Sequence, residues 1–220
     1  MSGAESDNLN LATHVGDNAD KVTENRTRLI SQTSMPAQPY WLDQQHSNQI
    51  INCQTSVKNQ LPPTADGSFT DLPNRVCVVL TADCLPILIR STDGHQLAAV
   101  HAGWRGLHNG VIGNALKQFA GSPAIAWIGP AIGPQAYQVD ESLKSSFVNL
   151  NSDYEASFTP VSANQWRMDL VSIATHQLRA EGLAEVYTSD ICCYQDTRFY
   201  SYRRDPDCGR MATLIWRDST

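Results

Sequence analysis

One cysteine and two histidines carry the functional groups that a catalytic metal centre needs. Cys84 and His101 each lie at the end of an apolar segment, whereas His46 lies in a polar Gln-Gln-His-Ser-Asn segment. Two imidazoles and a thiolate bind zinc through three ligands and leave a fourth position for water or substrate. Cys84 and His101 are 17 residues apart, and His46 precedes Cys84 by 38 residues. These spacings form no compact metal-binding motif, and a buried cysteine alone is usually a small hydrophobic residue.

A second group of residues is suited to binding an anion beside a planar ring. The segment Phe199-Tyr-Ser-Tyr-Arg-Arg is followed by Cys-Gly-Arg210, so aromatic rings and three arginines are grouped over a short distance. Guanidinium groups bind phosphate or carboxylate in a forked geometry, and tyrosine rings stack on bases. The alternative is an amphipathic edge strand with solvated arginines. A further polar set near the N-terminus has no assigned role at this point: Asn10, His14, Asp17, Asn25 and Arg26.

Length and charge exclude several classes of protein. The 220 residues fit one domain over 1–220, and 16 basic against 22 acidic residues give a net charge of −6. This charge disfavours nucleic-acid binding, which depends on Lys and Arg. No apolar stretch approaches the length of a membrane span, and the N-terminus lacks the features of a signal peptide. We therefore expect a cytoplasmic protein whose six cysteines are thiols or metal ligands.

Hydrophobic patterning predicts the elements that position these residues. Helices are predicted over 20–32, 107–119 and 170–181, and strands over 76–81, 86–90, 96–101, 124–128, 186–188 and 211–216. Residues 55–71, rich in Pro and Gly, are predicted to be irregular. Strands and helices do not alternate strictly, which indicates an α+β fold with a mixed sheet. The strands at 86–90 and 96–101 form a predicted hairpin with Cys84 and His101 toward its open end.

Several catalytic motifs are absent from the sequence. It contains no His-Glu-x-x-His zinc-protease motif, no cytidine-deaminase signature, no Walker loop, no Gly-x-Gly-x-x-Gly and no Gly-x-Ser-x-Gly. After these exclusions, two kinds of active site remain: a metal centre of another type, or a Cys–His site without metal.

Seven sequence motifs together resemble the YfiH-like, laccase-domain family, whose members are also described as purine nucleoside phosphorylases. The resemblance extends from about residue 9 to the C-terminus and comprises Asn10-Leu, His14-Val-Gly-Asp, Asn25-Arg, Gln45-His, Thr81-Ala-Asp-Cys-Leu-Pro with His101-Ala-Gly-Trp-Arg-Gly, Ile128-Gly-Pro-Ala-Ile-Gly-Pro, and Phe199-Tyr-Ser-Tyr-Arg-Arg with Gly209-Arg. It implies an α+β layered structure with central mixed β-sheets and helices packed outside. It also implies one zinc bound by His46, Cys84 and His101.

The activity implied by the resemblance is phosphorolysis of adenosine, inosine and methylthioadenosine, with adenosine deamination as a second reaction. We expect Cys84, His101 and Asp83 to be catalytic. The residues expected to bind nucleoside or phosphate are Asn10, Arg26, Tyr202, Arg203, Arg204 and Arg210. The chain departs from the family in two places. Only nine residues precede the first motif where relatives have a further strand, and Gln-Gln-His-Ser replaces the usual Gln-Val-His-Gly.

Three alternatives remain open from the sequence. A copper-dependent polyphenol oxidase is disfavoured because six histidines without a His-x-His pair are too few for a multicopper cluster, although Cu²⁺ is an alternative to Zn²⁺ at one site. A metal-free Cys–His hydrolase would use Cys84 as nucleophile. A non-catalytic binding domain would turn over no nucleoside. The sequence does not determine the oligomeric state.

Overall fold

The computed structural model describes residues 9–53 and 61–219. These residues form an α+β fold, as the sequence predicts. The helices are α1 Ala19–Thr33, α2 Trp104–His108, α3 Val111–Lys117, α4 Glu141–Leu150 and α5 Leu170–Ala180, with a 3-10 turn at Ser152–Ser157. The strands are β1 Ile50–Asn52, β2 Gly67–Thr70, β3 Cys77–Thr81, β4 Leu85–Ser91, β5 Leu97–Ala102, β6 Ala124–Ile128, β7 Gln138–Asp140, β8 Phe158–Ser162, β9 Gln165–Met168, β10 Val186–Thr188 and β11 Met211–Ile215.

A six-stranded mixed sheet is the central layer. Its strand order is β1-β2-β5-β4-β6-β10; the β1–β2 and β6–β10 pairs are parallel and the other pairs antiparallel. All six residues of β5 are buried. Such a continuous apolar strand is typical of a sheet that is covered on both faces. The two smaller sheets are β3–β11 and β7–β9–β8.

Alternate residues of β5 face two different apolar layers. Ala98 and Val100 belong to the large core that also contains the apolar faces of α3 and α5. Ala99, between them, packs with Cys77 and Val79 of the β3–β11 ribbon. Successive side chains of a strand point to opposite faces, so helices cover one side of the sheet and the ribbon covers the other.

The predicted β4–β5 hairpin is confirmed. Pro86 pairs with His101 and Leu85 with Ala102, which leaves Cys84 just beyond the paired residues at the open end. The tight hairpin is therefore the element that brings the cysteine near the histidine.

The predicted helix at 20–32 is confirmed as α1, whose N-cap Asn18 accepts hydrogen bonds from the backbone N–H groups of Asp20 and Lys21.

Three details of the sequence prediction are wrong. The helix predicted over 107–119 is two helices, because Gly110 between them has φ +78°, and the first begins at Trp104. The segment 55–71, predicted as irregular, ends in the fully buried strand β2, while its residues 55–60 lie outside the described part. Residues 199–204 form no strand, which removes the edge-strand alternative for the arginine-rich segment.

Membrane insertion was tested on the helices. Within residues 9–53 and 61–219, no helix is long and apolar enough to cross a bilayer.

Gly67 allows β2 to approach its neighbours, and its replacement tests the packing of the central sheet. A Cβ at this position would lie 2.5 Å from Ile50 Cδ1 and 3.0 Å from the carbonyl oxygen of Ala99. We expect Gly67→Ala to lower the free energy of unfolding by about 1–3 kcal/mol, measured by urea denaturation. The exposed Thr159→Ala control should stay within about 0.5 kcal/mol of wild type. Equal stability of both variants would contradict this packing.

Candidate metal centre

The three predicted ligands come together at one end of the central sheet. His46 comes from the loop before β1, Cys84 from the turn between β3 and β4, and His101 from β5. Their ligand atoms all lie within 4.8 Å of one another. The two imidazole rings meet edge to face, with centroids 4.9 Å apart. A set of two imidazole nitrogens and one thiolate sulfur is a donor set that suits zinc.

A buried carboxylate that the sequence analysis missed holds this group together. Asp66 is fully buried, and its Oδ1 accepts hydrogen bonds from His101 Nδ1 at 2.8 Å and from the His46 backbone N–H at 2.9 Å. Its Oδ2 accepts from the backbone N–H and the hydroxyl of Ser47, each at 2.6 Å. With Nδ1 bonded to a carboxylate, His101 presents Nε2 to the ligand group, which is how a second carboxylate orients a metal-binding histidine.

The electrostatics favour a thiolate at Cys84. Burial raises the pKa of the Cys84 thiol, but the charge of His101 and hydrogen bonds from His101 and His46 lower it to about 6. Burial lowers the pKa of His101, but the Cys84 charge and the Asp66 hydrogen bond raise it to about 9. Burial likewise raises the pKa of Asp66, and hydrogen bonds from His101 and Ser47 outweigh it to give about 2. Without a metal, the site is therefore a thiolate–imidazolium pair near neutral pH.

Gly103 gives the ligand group the space it needs. Its φ of −77° is accessible to any residue, so the backbone conformation does not require glycine. A Cβ there would lie only 2.8 Å from Cys84 Sγ and 3.2 Å from His46 Cδ2. The start of α2 therefore packs directly against two of the candidate ligands.

Asp83, predicted to be catalytic, holds a neighbouring loop beside Cys84. Its φ of +92° is unusual for a residue other than glycine. The carboxylate accepts hydrogen bonds from Cys193 Sγ at 3.1 Å, Ser201 Oγ at 2.7 Å and the Arg203 backbone N–H at 2.6 Å. These bonds fix the loop that carries the arginine-rich segment next to the metal ligands.

Most of the predicted anion-binding arginines use their side-chain donors within the protein. Arg204 donates to the carbonyls of Cys193, Tyr194 and Phe199. Arg210 donates to the carbonyls of Cys208 and Gly209.

At the N-terminal end, Arg26 donates twice to the carbonyl of Leu11 and lies 3.9 Å from the Trp41 ring centroid. Burial lowers its pKa to about 10. Asn10 is buried and its Oδ1 accepts from the Arg210 backbone N–H at 2.9 Å, which joins the two ends of the described chain. Tyr202 is exposed.

Two other arginines have donors available near Cys84. Arg203 donates from Nη1 to the Ala136 carbonyl at 3.2 Å, and its guanidinium carbon lies 5.2 Å from the Tyr137 ring centroid. Arg105, in the first turn of α2, stacks on Trp104 at 4.4 Å and makes no hydrogen bond or ion pair with the described residues. The sequence analysis named Arg105 only as a reserve candidate for phosphate binding and gave no role to Tyr137. The motif His-Ala-Gly-Trp-Arg-Gly was the signal that marked Arg105.

Comparison with known proteins decides the family. A family model described as multi-copper polyphenol oxidoreductase laccase matches residues 1–218. The chain belongs to this laccase-domain family. It is 42% identical to the purine nucleoside phosphorylase of Haemophilus influenzae over 213 residues, covering 94% of this chain and 86% of that protein. It is 38% identical to purine nucleoside phosphorylase YfiH of Escherichia coli strain K12, covering 96% and 86% of the two chains.

Solved structures of laccase-domain proteins share the fold. The crystal structure of a Neisseria meningitidis protein superposes with a TM-score of 0.90 at 37% identity, over 96% of this chain and 87% of that chain. YlmD from Geobacillus stearothermophilus gives a TM-score of 0.87 at 28% identity, over 96% and 85%. The family resemblance and the layered α+β fold predicted from the sequence are thus both confirmed.

Asp66→Asn tests whether the buried carboxylate supports metal binding. The amide removes the negative charge that fixes His101, so we expect metal affinity to fall about 10- to 100-fold in a chelator competition assay. Asp43→Asn is the control, because the Asp43 side chain is exposed and accepts from Gln45 Nε2 in the same loop. Unchanged affinity in both variants would contradict the role of Asp66.

The thiolate at Cys84 predicts an unusual pH profile for alkylation. In chelator-treated protein, the rate of Cys84 modification by iodoacetamide should rise with a midpoint near pH 6, since the pKa of this thiol is lowered to about 6. An ordinary cysteine titrates at about pH 8.5. His101→Gln removes the stabilising imidazolium and should move the midpoint upward. A wild-type midpoint above pH 8, read by mass spectrometry of the Cys84 peptide, would refute the thiolate–imidazolium pair.

Proposed function

We propose that this protein is a zinc-dependent purine nucleoside phosphorylase acting on adenosine, inosine and methylthioadenosine, with adenosine deamination as a second reaction. The observation that carries the proposal is the convergence of His46, Cys84 and His101, whose ligand atoms all lie within 4.8 Å of one another. The names of the relatives at 38–42% identity support the reaction class.

In the proposed reaction, an oxygen of hydrogen phosphate forms a bond to C1′ of the ribose as the bond from C1′ to the purine nitrogen breaks. The purine leaves with the electron pair of that bond and takes the proton that hydrogen phosphate brought. The products are ribose 1-phosphate and the free purine base, so atoms and charge balance.

Each residue has a defined task in this scheme. His46, Cys84 and His101 would hold the zinc ion, which would supply a Lewis acid at this position. The hydrogen bond between Asp66 and His101 Nδ1 leaves His101 Nε2 for the ion. Asp83 positions the loop of Arg203 through the Arg203 backbone N–H.

Phosphate binding is assigned to Arg105 and Arg203. The Arg203 backbone is held by Asp83, the neighbour of Cys84, and Arg105 lies two residues after Gly103, the glycine beside the Cys84 sulfur. Forked guanidinium donors match phosphate oxygens. The scheme gives no phosphate contact to the other residues predicted to bind substrate: Asn10, Arg26, Tyr202, Arg204 and Arg210.

A metal-free Cys–His hydrolase is the second candidate. The observation that favours it is that Cys84, whose thiol pKa is lowered, contacts His101, and His101 in turn contacts the buried carboxylate of Asp66. This is the order of groups in a nucleophile activated by a base. The polyphenol oxidase alternative has less support. Residues 9–53 and 61–219 contain a single group of three His, Cys, Asp or Glu residues close enough to bind one metal ion, whereas a multicopper oxidase needs several.

Metal analysis combined with nucleoside turnover separates these candidates. Purified protein should contain one zinc per chain and convert adenosine and inosine to free base only when phosphate is present. His46→Ala and Cys84→Ala should lose both zinc and turnover. A metal-free protein that is fully active on a carbonyl substrate would instead establish the hydrolase.

Arginine substitutions test the phosphate site within the same assay. Arg105→Lys and Arg203→Lys should raise the KM for phosphate about tenfold, because an ammonium cannot reproduce the forked contact. Arg198→Lys is the matched control, since Arg198 is exposed and pairs with Asp196. An unaltered phosphate KM in both test variants would remove these arginines from the site.

A further inference from the structure

Tyr137 is held rigidly beside the candidate active site, although no sequence motif assigned it a role. It follows the Gly-Pro-Ala-Ile-Gly-Pro turn and precedes β7. Its backbone N–H donates to the Pro134 carbonyl at 3.3 Å, and its carbonyl accepts from the Met168 N–H at 3.0 Å. The ring packs partly buried against the main core. Both the backbone and the ring of Tyr137 are therefore fixed before any ligand binds.

The same loop that Asp83 anchors also contacts Tyr137. The guanidinium carbon of Arg203 lies 5.2 Å from the Tyr137 ring centroid, and Arg203 Nη1 bonds the carbonyl of the preceding residue, Ala136. The Arg203 backbone is in turn bonded to Asp83, the neighbour of Cys84. Tyr137 is thus linked to the metal ligands through two short contacts.

The phenol also lies within electrostatic range of the metal site and both arginines. Burial raises the pKa of Tyr137, the charge of Cys84 raises it further, and the charges of Arg203 and Arg105 act in the opposite direction. The net effect keeps the hydroxyl protonated throughout the physiological range. A neutral hydroxyl with cations on its flanks can both donate and accept a hydrogen bond.

The Tyr137 hydroxyl has no partner among the described residues, and it is not sealed from solvent. No hydrogen bond joins it to residues 9–53 or 61–219. It differs from the hydroxyl of Tyr200, which is also unpaired but is enclosed by the protein. A fixed side chain whose hydroxyl is unpaired, on a ring that already contacts the Arg203 guanidinium, is arranged to contact a bound anion.

We propose that Tyr137 is a substrate-contacting residue that binds inorganic phosphate together with Arg105 and Arg203 and makes the site selective for phosphate over sulfate. The identity of the anion rests on the proposed phosphorylase function. Hydrogen phosphate carries one P–OH donor, and sulfate carries none. Guanidinium groups only donate, so they hold both anions alike. The Tyr137 hydroxyl can accept from the P–OH group and thereby distinguishes phosphate.

The experiment measures binding of inorganic phosphate and of sulfate to the zinc-loaded protein by calorimetry. Wild type should prefer phosphate. Tyr137→Phe keeps the ring and its contact with Arg203 and removes only the hydroxyl, so phosphate affinity should fall about tenfold while sulfate affinity stays within twofold. Tyr187→Phe is the control, because Tyr187 is exposed on β10 and its hydroxyl bonds Glu185. Zinc content and melting temperature establish that each variant is folded.

Turnover separates this inference from the proposed function. In Tyr137→Phe, the KM for phosphate should rise and the KM for inosine should stay unchanged. If wild type binds phosphate selectively but converts no nucleoside, the phosphorylase proposal fails and the role of Tyr137 stands. If turnover depends on phosphate but Tyr137→Phe keeps wild-type phosphate affinity and selectivity, the role of Tyr137 is refuted alone. Absence of phosphate binding by wild type also refutes it.

Discussion

The carboxylate of Asp66 is the interaction on which the candidate site depends. It is fully buried, and a buried charge is tolerated only when it is paired and hydrogen-bonded. Here its partners are the imidazole of His101 and the backbone of the loop that carries His46. The loop has no regular structure of its own, so this carboxylate replaces the hydrogen bonds that a strand or helix would provide. The contacts that stabilise the buried charge of Asp66 are therefore the same contacts that position the candidate ligands His46 and His101.

A second carboxylate performs a similar task on the other side of Cys84. Asp83 adopts a left-handed backbone conformation and binds three groups of the loop that ends at Arg203. Backbone conformations of this kind cost free energy and persist where surrounding contacts fix them. Cys84 therefore lies between two anchored loops, one carrying a metal ligand and the other an arginine. This arrangement lets one hairpin organise groups from distant parts of the chain.

The sequence predicted the parts of the site that follow from strand patterning and motif identity. The apolar segments around Cys84 and His101 made their hairpin predictable, and the motifs identified the family. Asp66 was missed because its significance depends on β2, a four-residue strand that follows a Pro-rich segment and has no alternating pattern. Composition also cannot tell whether a guanidinium faces a ligand or a backbone carbonyl. Arg204 and Arg210 look like an anion clamp in the sequence, yet their donors serve loop carbonyls.

The residues of the two loops beside Cys84 are also synthesised at different times, because they lie in different halves of the chain. His46, Asp66, Cys84 and His101 all lie in the first half of the chain, whereas the partners that Asp83 requires begin at Cys193. The Asn10 side chain likewise has its partner, the Arg210 backbone N–H, near the C-terminal end of the chain. During synthesis, the candidate metal ligands therefore emerge before the loop that places Arg203, so the two halves of the candidate site are completed at different stages of translation.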